Sequence, residues 1–307
     1  DLGVIAEVAD KIVVLHRGKL VETGAANQLL SHPKTEYTRG LLACKPSISS
    51  KSKRLPVLDE SGKLILPQLK PGEGQETTQS QVPIITLKNI WVSYEIKQPM
   101  HLKSTIFNAL QNIDLTIYKG ETLGLVGESG SGKTTIGRAI TLLVKPSSGE
   151  ISFYGKTVAR LKGNDYRDFR KKVQLIFQDP FSSLNPKHTV HDTLAEPLRL
   201  HGINRKNIDA KIIQLLNDVN LPKVSMRKYP HEFSGGQRQR ISIARALALD
   251  PELIICDESV SALDVSVQAG ILNLLNKLKE EKGLTYLFIS HDLAVVKYMS
   301  DRVVVLQ

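Results

Sequence analysis

From Ile84 onward the chain falls into short apolar runs separated by stretches with helical spacing. IITLKNIWVSY and ALQNIDLTIY read as strands from their alternating or apolar patterning, and ETLGLVG continues the series until it breaks into glycines. VQLIF, ELIICDE and TYLFIS are short runs of the buried type that end at polar residues. Between them, residues 133–144, 206–219 and 237–249 carry helical patterns. Strands alternating with helices predict an α/β fold with a mainly parallel sheet. The longest apolar runs, Leu253–Cys256 and Val303–Leu306, are strand sized and far short of the roughly 20 residues a spanning helix requires. Any membrane association is therefore expected to go through a partner.

The chain also matches itself. DLGVIAEVADKIVVL (Asp1–Leu15) lies over DLAVVKYMSDRVVVL (Asp292–Leu306) at an offset of 291, with 7 of 15 positions identical. Two copies of one module are implied: residues 1–45 as the end of a first copy, and residues 84–307 as a second, cut short at its C-terminal end. The residue preceding Asp1 is then expected to be His, because His291 precedes Asp292. Residues 46–83 are rich in Ser, Pro, Gly, Lys and Gln and read as a solvated linker, with LILPQL as its one candidate docking stretch.

GESGSGKTT (Gly127–Thr135) fills the pattern GxxxxGK[ST] directly after an apolar strand and opens a helix. Gly127, Gly130 and Gly132 let the backbone curl so that the amides of Glu128, Ser129 and Ser131 face inward, and the helix that follows adds its positive end. Lys133 is placed to reach the β and γ phosphates of a nucleotide, and the Thr134 hydroxyl to ligate Mg²⁺, with Thr135 beside it.

ELIICDES delivers Asp257 and Glu258 to the end of a strand expected to lie beside the phosphate-loop strand. Alone, such a pair is more often a solvated turn. Beside a phosphate loop, Asp257 is placed to hold hydrated Mg²⁺ and Glu258 to orient or deprotonate an attacking water. FSGGQRQRISIARALAL adds a second glycine corner, with Ser234 as a helix N-cap followed by Gly235, Gly236 and Gln237. Since one phosphate cradle already serves this chain, a second anion site suits a partner's nucleotide.

Taken together these motifs resemble the nucleotide-binding domain of an ATP-binding cassette (ABC) transporter. GESGSGKTT resembles its Walker A, LIICDE its Walker B, and FSGGQ its signature sequence with Phe233 in the usual Leu position. Gln178 in LIFQDP resembles the Q loop, Ser261–Asp264 the D loop, and His291 in FISHD the switch histidine. The resemblance covers residues 84–307. It implies a P-loop NTPase (RecA-like) core with an antiparallel β subdomain and an inserted helical subdomain over about residues 181–245. It implies ATP and Mg²⁺ as cofactors, with Thr134, Gln178 and Asp257 around the metal, Glu258 as base, His291 as γ-phosphate sensor and Tyr94 stacked on adenine. It also implies a sandwich with a second cassette. Ser259 departs from the Pro usual after the catalytic Glu, at a position that shapes a turn.

FQDPFSSLNP, CDESVSALDVSVQAGILNLL and EYTRGLLACKP resemble segments of dipeptide, oligopeptide and nickel importer ATPases, including fused members for glutathione or peptide-like antibiotics. The resemblance implies hydrolysis of ATP at the cytoplasmic face of the plasma (inner) membrane, peripherally bound. Two integral membrane permeases and, indirectly, an extracytoplasmic solute-binding protein are the partners it implies. Composition adds less. The 41 basic against 31 acidic residues give +10, which favours nucleotides, nucleic acid or lipid without choosing among them. Two cysteines, Cys44 and Cys256, supply no metal or disulfide framework, so a reducing cytosol is the simplest compartment and the iron–sulfur cluster of some relatives is not expected. A soluble tandem cassette acting on ribosome or DNA is the rival reading, alongside an ATPase of a nickel or other transporter. The former usually joins its cassettes by a long charged helix, which the Pro and Ser of residues 46–83 oppose. No nucleic acid partner is expected.

Overall fold

The structure is a computed structural model that describes residues 5, 7–46, 54–59, 61–66, 81–96 and 105–307. In chain order the first elements are β1 (Lys11–His16), β2 (Lys19–Ala25), α1 (Ala26–Ser31), α2 (Glu36–Ala43), β3 (Val57–Leu58) and β4 (Leu64–Ile65). Then follow β5 (Pro83–Ile96), β6 (Thr105–Tyr118), β7 (Thr122–Gly127), α3 (Lys133–Ile140), β8 (Ser148–Phe153), β9 (Lys156–Thr157), α4 (Gly163–Lys172) and β10 (Val173–Ile176). Last come α5 (Pro180–Ser183), α6 (Val190–Leu200), α7 (Arg205–Asp218), α8 (Gly235–Leu247), β11 (Leu253–Asp257), α9 (Val265–Lys282), β12 (Thr285–Ile289), α10 (Leu293–Met299) and β13 (Arg302–Leu306). Contacts divide them into two units, Asp1–Glu76 with Leu263–Asn273, and Thr77–Ala262 with Leu274–Gln307.

In the first unit β1 and β2 form a hairpin closed by Arg17 and Gly18, both at positive φ, the handedness that matches strand twist in a two-residue turn. The α2 helix starts at Thr35, whose hydroxyl accepts from the Thr38 amide, and Glu36 in its first turn favours the positive helix end. Glu22 fixes the entry to that helix. Its carboxylate accepts from the Lys34 amide (2.8 Å), the Thr35 amide (3.1 Å) and the Thr35 hydroxyl (2.9 Å). These bonds, the Lys34 amide foremost, hold the carboxyl down to about 2.

Part of the expected linker is structured. β3 and β4 pair as a short hairpin whose turn is built on Asp59, which accepts from the Ser61 and Lys63 amides, both at 2.9 Å. Leu55 is buried, and its backbone is held at both ends by Asn273: the amide donates to Oδ1 (2.9 Å) and the carbonyl accepts from Nδ2 (2.7 Å). Composition describes a tether here because a two-residue ladder needs little apolar sequence; side-chain amides and carboxylates supply the remaining bonds. The strand portion of LILPQL is β4, and residues 67–69 lie outside the described residues.

In the second unit β10, β11, β12, β7 and β13 form one sheet in that order, parallel throughout. A four-stranded antiparallel sheet, β6-β5-β8-β9, and the helices α5 to α8 complete it, as expected for the fold class. The self-matching segments both form strands, but β1 sits in an antiparallel hairpin and β13 in the parallel sheet. One expectation is corrected: β11 does not lie beside β7, because β12 runs between them. The helix read over 133–144 ends at Ile140, where Thr141 caps and Leu142 takes positive φ. Helices read over 206–219 and 237–249 run over Arg205–Asp218 and Gly235–Leu247.

The α10 helix approaches β7 at Gly124, where a Cβ would lie 2.6 Å from Val296 Cγ1 and overlap the Ser300 hydroxyl. Gly124→Ala is expected to destabilise the second unit by about 1–3 kcal/mol, read as a lower thermal midpoint. The lowered carboxyl of Glu22 contributes stability that is present above its ordinary 4.5 and is lost as pH falls from there through about 2. Glu22→Gln should therefore raise hydrogen exchange at Lys34 and Thr35 at neutral pH, and the difference from wild type should shrink across that acid window.

Candidate functional site

The β7 strand runs out at Gly127, the loop turns through Gly130 and Gly132 at φ +87° and +96°, and α3 begins at Lys133. Gly132 cannot be replaced cheaply. A Cβ there would lie 2.6 Å from Leu110 Cδ2 and 2.7 Å from the Ala109 carbonyl oxygen, so β6 backs the loop. A Cβ at Gly127 would overlap the Leu306 carbonyl oxygen at the end of β13. Glu128, Ser129 and Gly130 are exposed on the rim.

Lys133 is buried at the start of α3, and its ammonium donates to the Gly127 carbonyl (2.8 Å) and the Glu128 carbonyl (2.7 Å). The loop thus curls round its own lysine. The Ser131 hydroxyl is buried without a hydrogen-bond partner, and Thr135 is half-buried in the first turn of α3.

The register explains how distant acids reach this loop. Leu125 of β7 pairs with Ile289 of β12, and Ile289 with Asp257 of β11. Three parallel strands therefore end on one edge, with β7 and β11 about 10 Å apart. The α3 helix packs over all three, and Thr134 Oγ1 spans the gap by donating to Asp257 Oδ1 at 2.9 Å. Asp257 is buried, and that burial pushes its carboxyl up. The Thr134 bond and the charges of Arg138 and Lys133 oppose the rise, while Glu258 adds to it. Arg138 was not among the expected site residues; its position four after Thr134, on the same helix face, is the signal for it.

Glu258 follows at φ +44°, an uncommon conformation for a side-chain-bearing residue, with its amide bonded to the Ile289 carbonyl at 3.0 Å. This turn sends its carboxylate toward two further expected residues. Gln178 Nε2 donates to Glu258 Oε2 at 3.0 Å, and His291 Nδ1 stands 3.5 Å from the same oxygen. Ser261 caps the turn through its hydroxyl on the Glu258 carbonyl (2.9 Å), and Ser259 is buried within it.

A cavity of about 1240 Å³ opens over the loop, lined by Gly127–Ser131, by Phe107–Gln111 of β6 and by His291. Tyr94, on β5 opposite Phe107, is part exposed. The signature residues are not drawn into this cluster. Ser234 caps α8 reciprocally with Gln237: the Gln237 amide donates to Ser234 Oγ (3.4 Å) and the Ser234 amide to Gln237 Oε1 (3.1 Å), with Gly235 and Gly236 in the first turn. Among the described residues these bonds are local to the helix start.

The family model for ABC transporters matches residues 110–261. The glutathione import ATP-binding proteins GsiA of Pectobacterium atrosepticum and of Escherichia coli are each 43% identical to it, covering 100% of this chain and 50% of their own. The chain thus spans about half the length of these curated relatives. Among solved structures, the ATP-binding cassette MJ0796, dimeric in a post-hydrolysis state with ADP and phosphate, superposes at TM-score 0.64 and 31% identity, over 73% of this chain and 94% of that one. CbiO1 of Clostridium perfringens, part of the cbiONQ transporter complex, superposes at TM-score 0.63 and 26% identity, over 74% and 86%. Likeness that runs at this identity through nearly the whole of a known cassette, joined to a loop and acids already in contact, makes the chain a member of the ABC transporter family.

Proposed function

We propose that this chain binds and hydrolyses ATP with Mg²⁺ to drive an importer for glutathione-like or other small peptides. The observation that carries the reading is the convergence of Lys133, Thr134, Asp257, Gln178, Glu258 and His291 on one edge of the parallel sheet. The names of the relatives support the peptide cargo.

Magnesium fits the residues present. It is commonly held by one or two carboxylates plus substrate phosphates, and the Thr134 hydroxyl, the Gln178 amide oxygen and the buried Asp257 carboxylate offer hard oxygen donors. Bound there, the ion would offset charge on the phosphate oxygens. The remaining work falls to the chain. Lys133 exchanges its two loop carbonyls for phosphate oxygens, and the loop amides with the Ser131 hydroxyl donate to the same group. Glu258 takes the proton of an attacking water, His291 and Gln178, both already at its carboxylate, position that carboxylate, and His291 senses the terminal phosphate. Ser234–Gln237 at the mouth of α8 present helix-end amides to the nucleotide of a second cassette.

On this reading the partners are a second cassette, two membrane permeases and, through them, an extracytoplasmic solute-binding protein, with the chain lying peripherally on the cytoplasmic face of the membrane. Among the described residues no helix is long and apolar enough to cross a membrane.

Glu258→Gln should keep Mg·ATP affinity within about twofold in calorimetry while phosphate release falls roughly 100-fold or more. Unchanged turnover would remove Glu258 from the base role. Lys133→Ala should abolish measurable Mg·ATP binding. Because one loop and one signature are present, specific ATPase activity of the purified chain should rise with protein concentration; a flat dependence would sink the sandwich.

A further inference from the structure

The strand β6 carries an irregularity that changes what faces the phosphate loop. Val92 pairs with Leu110, Ser93 with Asn108 and Tyr94 with Phe107, so Ala109 has no opposite number on β5. In an unbroken strand side chains alternate, and Phe107, three positions from Leu110, would point to the opposite face. The extra residue returns it to the face of Leu110.

That face is the one pressed on the phosphate loop. Val92 and Leu110 are buried, and Leu110 with the Ala109 carbonyl closes the space at Gly132. Tyr94 lies two positions beyond Val92 on β5 and shares its face. At a rise of about 3.4 Å per residue, the Tyr94–Phe107 pair stands about 7 Å past the last buried pair. There the two rings leave the core, 40% and 51% exposed, and Phe107 enters the lining of the cavity above Gly127–Ser131. The chain spends a β-bulge to hold an exposed phenyl ring beside an exposed phenol, next to an anion cradle.

We propose that Phe107 is a second base-contacting aromatic of the nucleotide site, placed there by the extra residue Ala109, so that Tyr94 and Phe107 together form an apolar platform for the purine. This rests on the nucleotide-binding reading above and adds a residue to it. A phenyl ring has no hydrogen-bonding group, so it contributes by stacking and by excluding water, and its contribution vanishes for a ligand without a base.

The test uses calorimetry on the whole chain with two probes, Mg·ATP and Mg·tripolyphosphate, which share a triphosphate and differ in the nucleoside. Phe107→Ala should weaken Mg·ATP binding roughly fivefold to a hundredfold, the range for losing one aromatic under a base, and leave Mg·tripolyphosphate unchanged. Phe107→Tyr, which keeps the ring, should bind both probes as wild type does. Unchanged Mg·ATP affinity in Phe107→Ala overturns the proposal and leaves the nucleotide reading intact. Equal weakening of both probes also overturns it, because Phe107 would then act by supporting the loop. Wild-type chain that binds neither probe overturns the nucleotide reading and this proposal with it.

Discussion

The parallel register that sets Leu125, Ile289 and Asp257 side by side is the constraint on which the site depends. It ends three strands on one edge, so that a loop leaving β7 and acids leaving β11 meet although 123 positions separate Thr134 from Asp257. The distance between those two strands is bridged by a helix rather than by neighbouring strands. The close approach at Gly137, where a Cβ would lie 3.1 Å from Ile255 Cγ2, shows how tightly that helix is seated.

Burial then gives the residues their chemistry. Asp257 is taken out of water, which opposes its charge, and its compensation comes from one hydroxyl and two cations of α3. A buried acid so held is suited to gain from a further cation. Glu258, one residue later, escapes this environment because its left-handed backbone turns it toward Gln178 and His291. Two adjacent carboxylates thus acquire different surroundings from a single backbone angle.

The first unit is stabilised by another device. Much of its order comes from single polar side chains that stand in for missing secondary structure. Glu22 satisfies the entry to α2, Asp59 builds a turn, and Asn273 pairs with both polar groups of Leu55 as a neighbouring strand would. Each bond is modest, and at buried Leu55 the pair from Asn273 answers backbone groups that burial would otherwise leave unpaired. This is why a stretch whose composition reads as a tether carries a hairpin.

That Lys133, Thr134, Asp257, Gln178, Glu258 and His291 belong to one set was legible in the sequence, since GESGSGKTT, LIICDE, LIFQDP and FISHD are local patterns of tight turns and short apolar strands, whereas Arg138 was not singled out and FSGGQ stays apart from the set. The helical insertion and the antiparallel sheet were expected only from the family resemblance that those motifs carry. Strand order was not legible, because a parallel sheet is assembled from segments far apart in sequence, and nothing in ELIICDE or TYLFIS states which neighbours β7. Nor was the orientation of Phe107, since alternation predicts faces only while the pairing is unbroken, and one extra residue shows only when the opposite strand is in place. The amino-acid order alone determined the chemical inventory and its local geometry. Tertiary structure alone decided adjacency, because adjacency comes from pairing and burial between elements that the chain itself keeps distant.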